Sequence, residues 1–279
     1  MLEFQLFRVK VYAPNQQSLF AAEFNPPLVL VDAIRRKPTV ERKKGYAWHI
    51  GNVSAMDAFG MYFAVGRTTR STRTLYDEST GNFVETETET APYTHVLCDI
   101  SLEVCGIARN YQLAPTVPGI ARQLEKLLNS TVTASTGYRF EVSVISDPSE
   151  FLDQLREAYA VKRFSITFSL PNAWDVNEHF QRPFEQLVKE ADAREGKAQI
   201  TGSELNPDVV EDLARSAAAT GNQAEARLQL TEKAKPVTRR LRGNIAGLKE
   251  EKVETDEDRR NVLADIRNLY GKIRGNARK

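Results

Sequence analysis

The chain has 279 residues, 41% of them hydrophobic, and its 38 basic side chains nearly cancel 37 acidic ones to leave a formal charge of +1. That length suffices for two average domains with cores of their own, and so small a net charge points to no partner; only local clustering carries information. No uninterrupted apolar stretch is long enough to span a bilayer, and the opening MLEFQLFRVKVYAP alternates instead of forming the apolar segment of a signal peptide, so the expected setting is cytoplasmic, without membrane insertion.

Taken in chain order, residues 1–12 read as a strand with Phe4, Leu6, Val9 and Val11 inward, ended by Pro14 and Asn15. After a loop or short helix comes a compact apolar run, Leu28 to Ile34. Residues 45–53 and 59–67 read as strands, dense in aromatic and β-branched side chains. The segment RTTRSTR, Arg67 to Arg73, is polar and basic and is expected as an exposed, flexible loop. Residues 77–91 carry only negative charge and read as a hairpin or solvated loop with an acidic edge. Residues 93–109 keep period two through Val96, Cys98, Ile100, Leu102 and Val104, which predicts extended structure. A helix over 118–129 follows, with Pro118 in its first turn, and then a small-polar linker over 129–137.

The second half repeats strand and helix signals. Residues 138–146 read as a strand, and Asp147-Pro148 starts a helix to about 159. Residues 162–170 alternate as a strand, 178–192 as a helix, and 198–201 as a short strand. Asn206-Pro207 opens a helix stopped by Gly221, and 224–230 alternate as a last strand. The fold class expected is α+β: two mixed α/β sheet domains, 1–130 and 131–231, with a basic, partly helical tail over 232–279. Helix-like patches in the tail cover 239–250 and 255–273. The second carries an apolar stripe of Val262, Ile266, Leu269 and Ile273.

Chemistry-bearing residues are sparse. None of the nucleophile-elbow, zinc-protease, phosphate-loop or dinucleotide-binding signatures occurs. Cys98 and Cys105 lie an odd number of residues apart in one extended segment, hence on opposite faces. They are expected as reduced core thiols, since a disulfide needs an intervening turn. His95 with Cys98 has no second ligand pair for zinc, and His49 and His179 add none. A Cys–His nucleophile from these residues weighs less than core packing, and Asp99, Glu103 and Glu141 lack the clustering of a metal-dependent nuclease. No catalytic residue, cofactor or metal is expected. Tyr46, Trp48, Tyr62 and Phe63 fit a core or sheet face better than a base-stacking platform, and Trp174 reads as a loop or interface anchor.

Basic clusters are the stronger signal. They occupy 35–44, Arg67 to Arg73, 231–249 and 266–279, while no lysine or arginine lies between Thr74 and Ala108. Lysine and arginine neutralise phosphates, and short hydroxyl side chains hydrogen-bond phosphate oxygens. The candidate nucleic-acid-binding residues are therefore Arg67, Arg70, Arg73, Lys233, Lys235, Arg239, Arg240, Arg242, Lys272 and Arg274. Pro236, Gly243 and Gly247 suggest that the first tail segment is mobile until phosphates order it, so that removing 231–279 leaves the 138–230 core folded. The apolar stripes of 118–129 and 255–273 are hard to place in one monomer and suggest a dimer contact.

The passages GIARNYQLAPTVPGIARQLEKLL (106–128) and RFEVSVISDPSEFLDQLREAYAVKRFSITFSLPN (139–172) resemble RexA-like phage-exclusion proteins and the related KwaB-like subunits of Kiwa defence systems. The resemblance covers roughly 94–235 and rests on element order and residues such as Ala108-Arg109. It implies a cytoplasmic protein of bacterial antiviral defence that binds DNA, dimerises and need not be a nuclease, and the leading expectation is a homodimer that binds duplex DNA mainly through its phosphates. It supplies no catalytic residue. Two other readings stay open: a protein–protein module docking a partner defence subunit through the tail helix, and a metal-dependent nuclease.

Overall fold

The first strand, β1 (Leu2–Tyr12), is buried continuously from Leu6 to Val11 because both of its faces are covered. The computed structural model describes residues 1–12, 25–43, 46–130, 137–169, 181–191, 193 and 195–275. Trp174, His179 and most of the expected 129–137 linker lie outside the described residues.

β1 is central to a nine-stranded sheet in which every pairing is antiparallel. Its other members are β2 (Thr39–Lys43), β3 (Tyr46–Ala55), β4 (Gly60–Asp77), β5 (Asn82–Thr90), β6 (Tyr93–Asp99), β7 (Val104–Ala108), β8 (Arg139–Val144) and β13 (Gly247–Glu250). One face packs Phe7, Val9 and Val11 against helices α1 (Pro26–Arg35) and α2 (Val117–Leu128). Asn25 and Thr116 cap these helices by accepting the amides of Leu28 and Gly119. Trp48 and Phe63 lie in that core and Tyr62 in the opposite one, all three buried, whereas Tyr46 is exposed.

The second sheet has four strands in the order β10-β9-β11-β12: β9 (Ala160–Ser169), β10 (Glu195–Thr201), β11 (Gln223–Gln229) and β12 (Val237–Arg240). On its inner face lie α3 (Ser149–Glu157), α4 (Gln181–Glu190) and α5 (Pro207–Thr220), the last capped by Asn206 and closed by Gly221 in the left-handed region at φ 69°. The long C-terminal helix α6 (Asp256–Arg274) begins with a reciprocal Thr255–Asp258 capping box. One buried cluster joins Phe4 and Leu6 of the first sheet, Leu263 and Ile266 of α6, and Phe164 and Ile166 of the second sheet. The layers are thus α1 and α2, the nine-stranded sheet, α6 with α5 and α3, and the four-stranded sheet. The class is α+β, with antiparallel pairings in both sheets. β8, from beyond the expected domain boundary, pairs with β1 from Phe7↔Val144 to Tyr12↔Arg139.

Several sequence expectations change in the fold. The 93–109 segment is a hairpin, not one extended run. Asp99 accepts the amides of Ser101 and Leu102 and turns the chain without glycine or proline. The turn sets Cys98 opposite Cys105 with Cα atoms 4.0 Å apart, and they form a buried disulfide where two thiols are expected from spacing alone. Arg67 to Arg73 is no loop; it continues β4 and pairs with the acidic β5. Residues 239–250 are not helical. β12 pairs with β11 and β13 with β1, so the segment expected to be mobile is built into both sheets. Gly247 passes so close to β1 that a Cβ there would lie 2.5 Å from the Phe4 carbonyl oxygen. The apolar stripes of α2 and α6 are both buried within the single chain, which removes the packing argument for a dimer.

Two polar contacts tie α6 and the sheet to solution pH. The Arg267 guanidinium clamps Asp57 at 2.7 and 3.0 Å and reaches Asp99 at 2.6 Å. That hydrogen bonding holds the Asp57 carboxyl well below its ordinary 3.8, so its contribution is in place above that value and is lost as pH falls further. Tyr62 lies 2.9 Å from His95 Nδ1. Burial, then the charge of Arg259, lowers the His95 pKa from 6.5, so the unfolded chain takes up the proton first and stability falls as pH drops below that value. The melting temperature is expected to decline as pH falls below about 6.5 and again below about pH 4, with His95→Gln flattening only the first decline. Unchanged slopes in His95→Gln count against the histidine.

Candidate nucleic-acid interface

The four-stranded sheet has two unlike faces. Along β9, Phe164, Ile166 and Phe168 turn to the helices and are buried, while Arg163, Ser165 and Thr167 alternate to the other side. β11 does the same: Ala224, Ala226 and Leu228 inward, Gln223, Glu225 and Arg227 outward. α4 belongs to the inner face, since a Cβ on Gly196 of β10 would meet Val188 and Phe184. Among the described residues, no helix packs on the outer face.

The register arranges that outer face into rows. One row reads Thr201, Arg163, Arg227 and Thr238 across β10, β9, β11 and β12. The next reads Gln199, Ser165, Glu225 and Arg240, with Arg240 Nε 3.2 Å from Glu225. The third brings Lys197, Thr167 and Gln223 together, and Arg242 lines the same shallow groove. Five basic side chains (Arg163, Lys197, Arg227, Arg240, Arg242) face two acidic ones (Glu195, Glu225), separated by hydroxyls and amides. No described aromatic side chain alternates to this side. Arg163 and Arg227 stand directly opposite each other, a like-charge pair that costs stability unless an anion lies between. Among the described residues neither joins an ion pair, and the shielded Nε of Arg163 has no hydrogen-bond partner.

The sequence-predicted residues do not converge. Arg240 and Arg242 lie on this face, and Lys233 and Lys235 are exposed in the adjoining 230–236 connection. Arg239 alternates to the inner side, opposite Ala226, at the sheet edge. Arg67 donates to the Gln112 carbonyl at 2.7 Å, Arg70 pairs with Glu89 at 3.0 Å, and Arg73 stands opposite Thr86. All three lie on the other sheet, and in the ribbon of residues 69–90 only Arg70 and Arg73 offset Asp77, Glu78, Glu85, Glu87 and Glu89. Lys272 lines a separate cleft in which Arg156 and Arg215 hold Glu211 below its ordinary carboxylate range. Burial and the charge of Arg8 lower Arg274. Sequence reasoning missed Arg163, Lys197 and Arg227; Lys197 and Arg227 are each the one basic residue of an alternating strand, and Arg163 has only Lys162 beside it.

The carboxylates weighed for a nuclease are held elsewhere: Asp99 by Arg267, Glu103 by Arg8 at 3.4 Å, and Glu141 by Tyr12. Among the described residues no three histidine, cysteine or acidic side chains are grouped to hold a metal ion, and no helix is long and apolar enough to cross a membrane.

No curated protein matches the chain. A family model described as a domain of unknown function, DUF4747, matches residues 91–239, more than half the chain. The matched span contains β9, β10 and β11 entire, with Arg163, Lys197 and Arg227. The chain belongs to the DUF4747 family.

Proposed function

We propose that this protein binds duplex nucleic acid, in the first instance DNA, by its phosphate backbone across the outer face of the four-stranded sheet. The observation that carries the reading is the makeup of that face: net basic, rich in hydroxyls and amides, and without an aromatic ring among its described residues. Phosphates are met by such groups, whereas single strands without base pairing are usually held by stacking on aromatic rings. The Arg163–Arg227 row and the Lys197 row are four residues apart on β9, about 13 Å at strand rise, too far for one phosphate and suited to a polymer. The resemblance to phage-exclusion and Kiwa proteins supports a role in cytoplasmic antiviral defence, and it alone now supports the homodimer.

A mobility-shift titration with duplex DNA, single-stranded DNA and duplex RNA at two salt concentrations tests this. Lys197→Gln with Arg242→Gln is expected to keep the fold, weaken duplex binding by about tenfold, and reduce the salt slope by about 2, the loss of two phosphate contacts. Equal affinity and slope in the parent, in this variant and in Arg227→Gln remove the face from any nucleic-acid role.

A protein-partner reading is favoured by one feature, the exposed apolar tip of the β4–β5 ribbon, where Leu75, Tyr76, Phe83 and Val84 are 40–77% exposed. Association through that tip would survive salt that abolishes phosphate contacts.

A further inference from the structure

We infer that the row Thr201–Arg163–Arg227–Thr238 is a discrete seat for one phosphate group, the point at which the proposed interface grips its ligand; the inference rests on the phosphate-backbone reading of that face. Directly opposed residues in an antiparallel pair hold their Cβ atoms about 5 Å apart, so both guanidinium groups are within reach of one anion between them. The next row gives them no neutralising carboxylate, because Glu225 is engaged by Arg240. A threonine flanks the pair on each side, placing two hydroxyl groups beside two guanidinium groups. Guanidinium forks matched to phosphate oxygens, with hydroxyls filling the remaining acceptors, make a complete site for a tetrahedral oxyanion. Between Arg227 and Leu228 the register shifts because β9 carries one extra residue there, Lys162, and such a bulge bends the strand locally at this row.

This arrangement makes an unusual prediction. Without an anion the two arginines repel each other, so replacing one should not destabilise the protein and should remove its response to phosphate. The full chain is melted in chloride buffer with and without inorganic phosphate. The parent is expected to gain about 3–5 °C at ten times the dissociation constant. Arg227→Gln, at an exposed position, is expected to melt at or above the parent temperature without phosphate and to lose most of the gain. The comparison between the two proteins cancels the general stabilisation that phosphate gives any fold. Arg227→Gln should also weaken duplex binding at least tenfold, while Lys197→Gln with Arg242→Gln keeps the phosphate-dependent gain. An equal gain in Arg227→Gln, or a melting temperature several degrees lower without phosphate, overturns the inference. If inorganic phosphate does nothing to the parent but duplex binding still depends on Lys197 and Arg242, the seat is wrong and the wider reading stands. If duplex binding is unaffected by every one of these substitutions, the wider reading falls with it.

Discussion

A chain ending at Val253 is expected to show no cooperative thermal transition and to be digested rapidly at low protease concentration. Helix α6 contributes Val262, Leu263, Ile266, Tyr270 and Ile273 to the core, each no more than 4% exposed. Burying one such side chain is worth about 1.5–3 kcal/mol, so five amount to about 7.5 kcal/mol or more. A whole domain is stable by only about 5–15 kcal/mol. The loss also strips the cover from Phe4, Leu97 and Ala108, members of the same cluster, and opens the Arg267 clamp on Asp57 and Asp99. Cutting earlier, before Thr231, removes β12 and β13 as well and bares an edge of each sheet. The sequence expectation that the tail could be deleted from a folded core is therefore replaced: a sharp melt in the truncated protein, near the parent temperature, is the result that would restore it.

That reversal marks where the sequence is legible and where it is not. Local signals that act through neighbouring residues read well. Asn206-Pro207 and Gly221 bound α5, and Thr255 opens α6, because caps and stops are chemistry within one turn of helix. The apolar stripe of α6 is equally visible, but a stripe states only that something covers it. Whether that is the body of the chain or a second copy depends on long-range packing. Register is hidden for the same reason. Arg70 lies far along the chain from Glu89, so the basic and acidic stretches look segregated until pairing sets them side by side. The 93–109 hairpin hid because apolar residues keep period two straight through its turn, which rests on the Asp99 side chain instead of glycine or proline. The candidate interface was half visible. In KRFSITFSL the polar positions are Lys162, Arg163, Ser165, Thr167 and Ser169, basic or hydroxyl throughout, the pattern that the proposed phosphate-binding face would need. Its counterpart on β11 is one arginine in a short strand, and only the sheet order joins the two.

The second large effect is expected at Glu103. Its carboxylate lies 3.4 Å from the guanidinium of Arg8, with side-chain exposures of 5% and 0%, and Arg8 also donates to the Tyr270 hydroxyl at 2.6 Å. Lys10, two residues along β1, is buried as well, so the region holds two basic side chains inside the protein. Removing one partner of a buried pair leaves the other charge in a medium that solvates it poorly, at a cost of about 3–5 kcal/mol. Glu103→Ala should lower stability by about that amount, read as a shift of the denaturant midpoint at unchanged slope. Glu103→Gln should recover part of the loss, since an amide oxygen still accepts a hydrogen bond from Arg8. Glu103 has a φ of 54°, a conformation that suits glycine better than any residue with a Cβ. Glu103→Gly therefore separates the two contributions: its difference from Glu103→Ala reads the backbone conformation, since both lack the carboxylate, and the difference of Glu103→Ala from the parent reads the carboxylate, so Glu103→Ala at the parent's stability would show that the ion pair adds little.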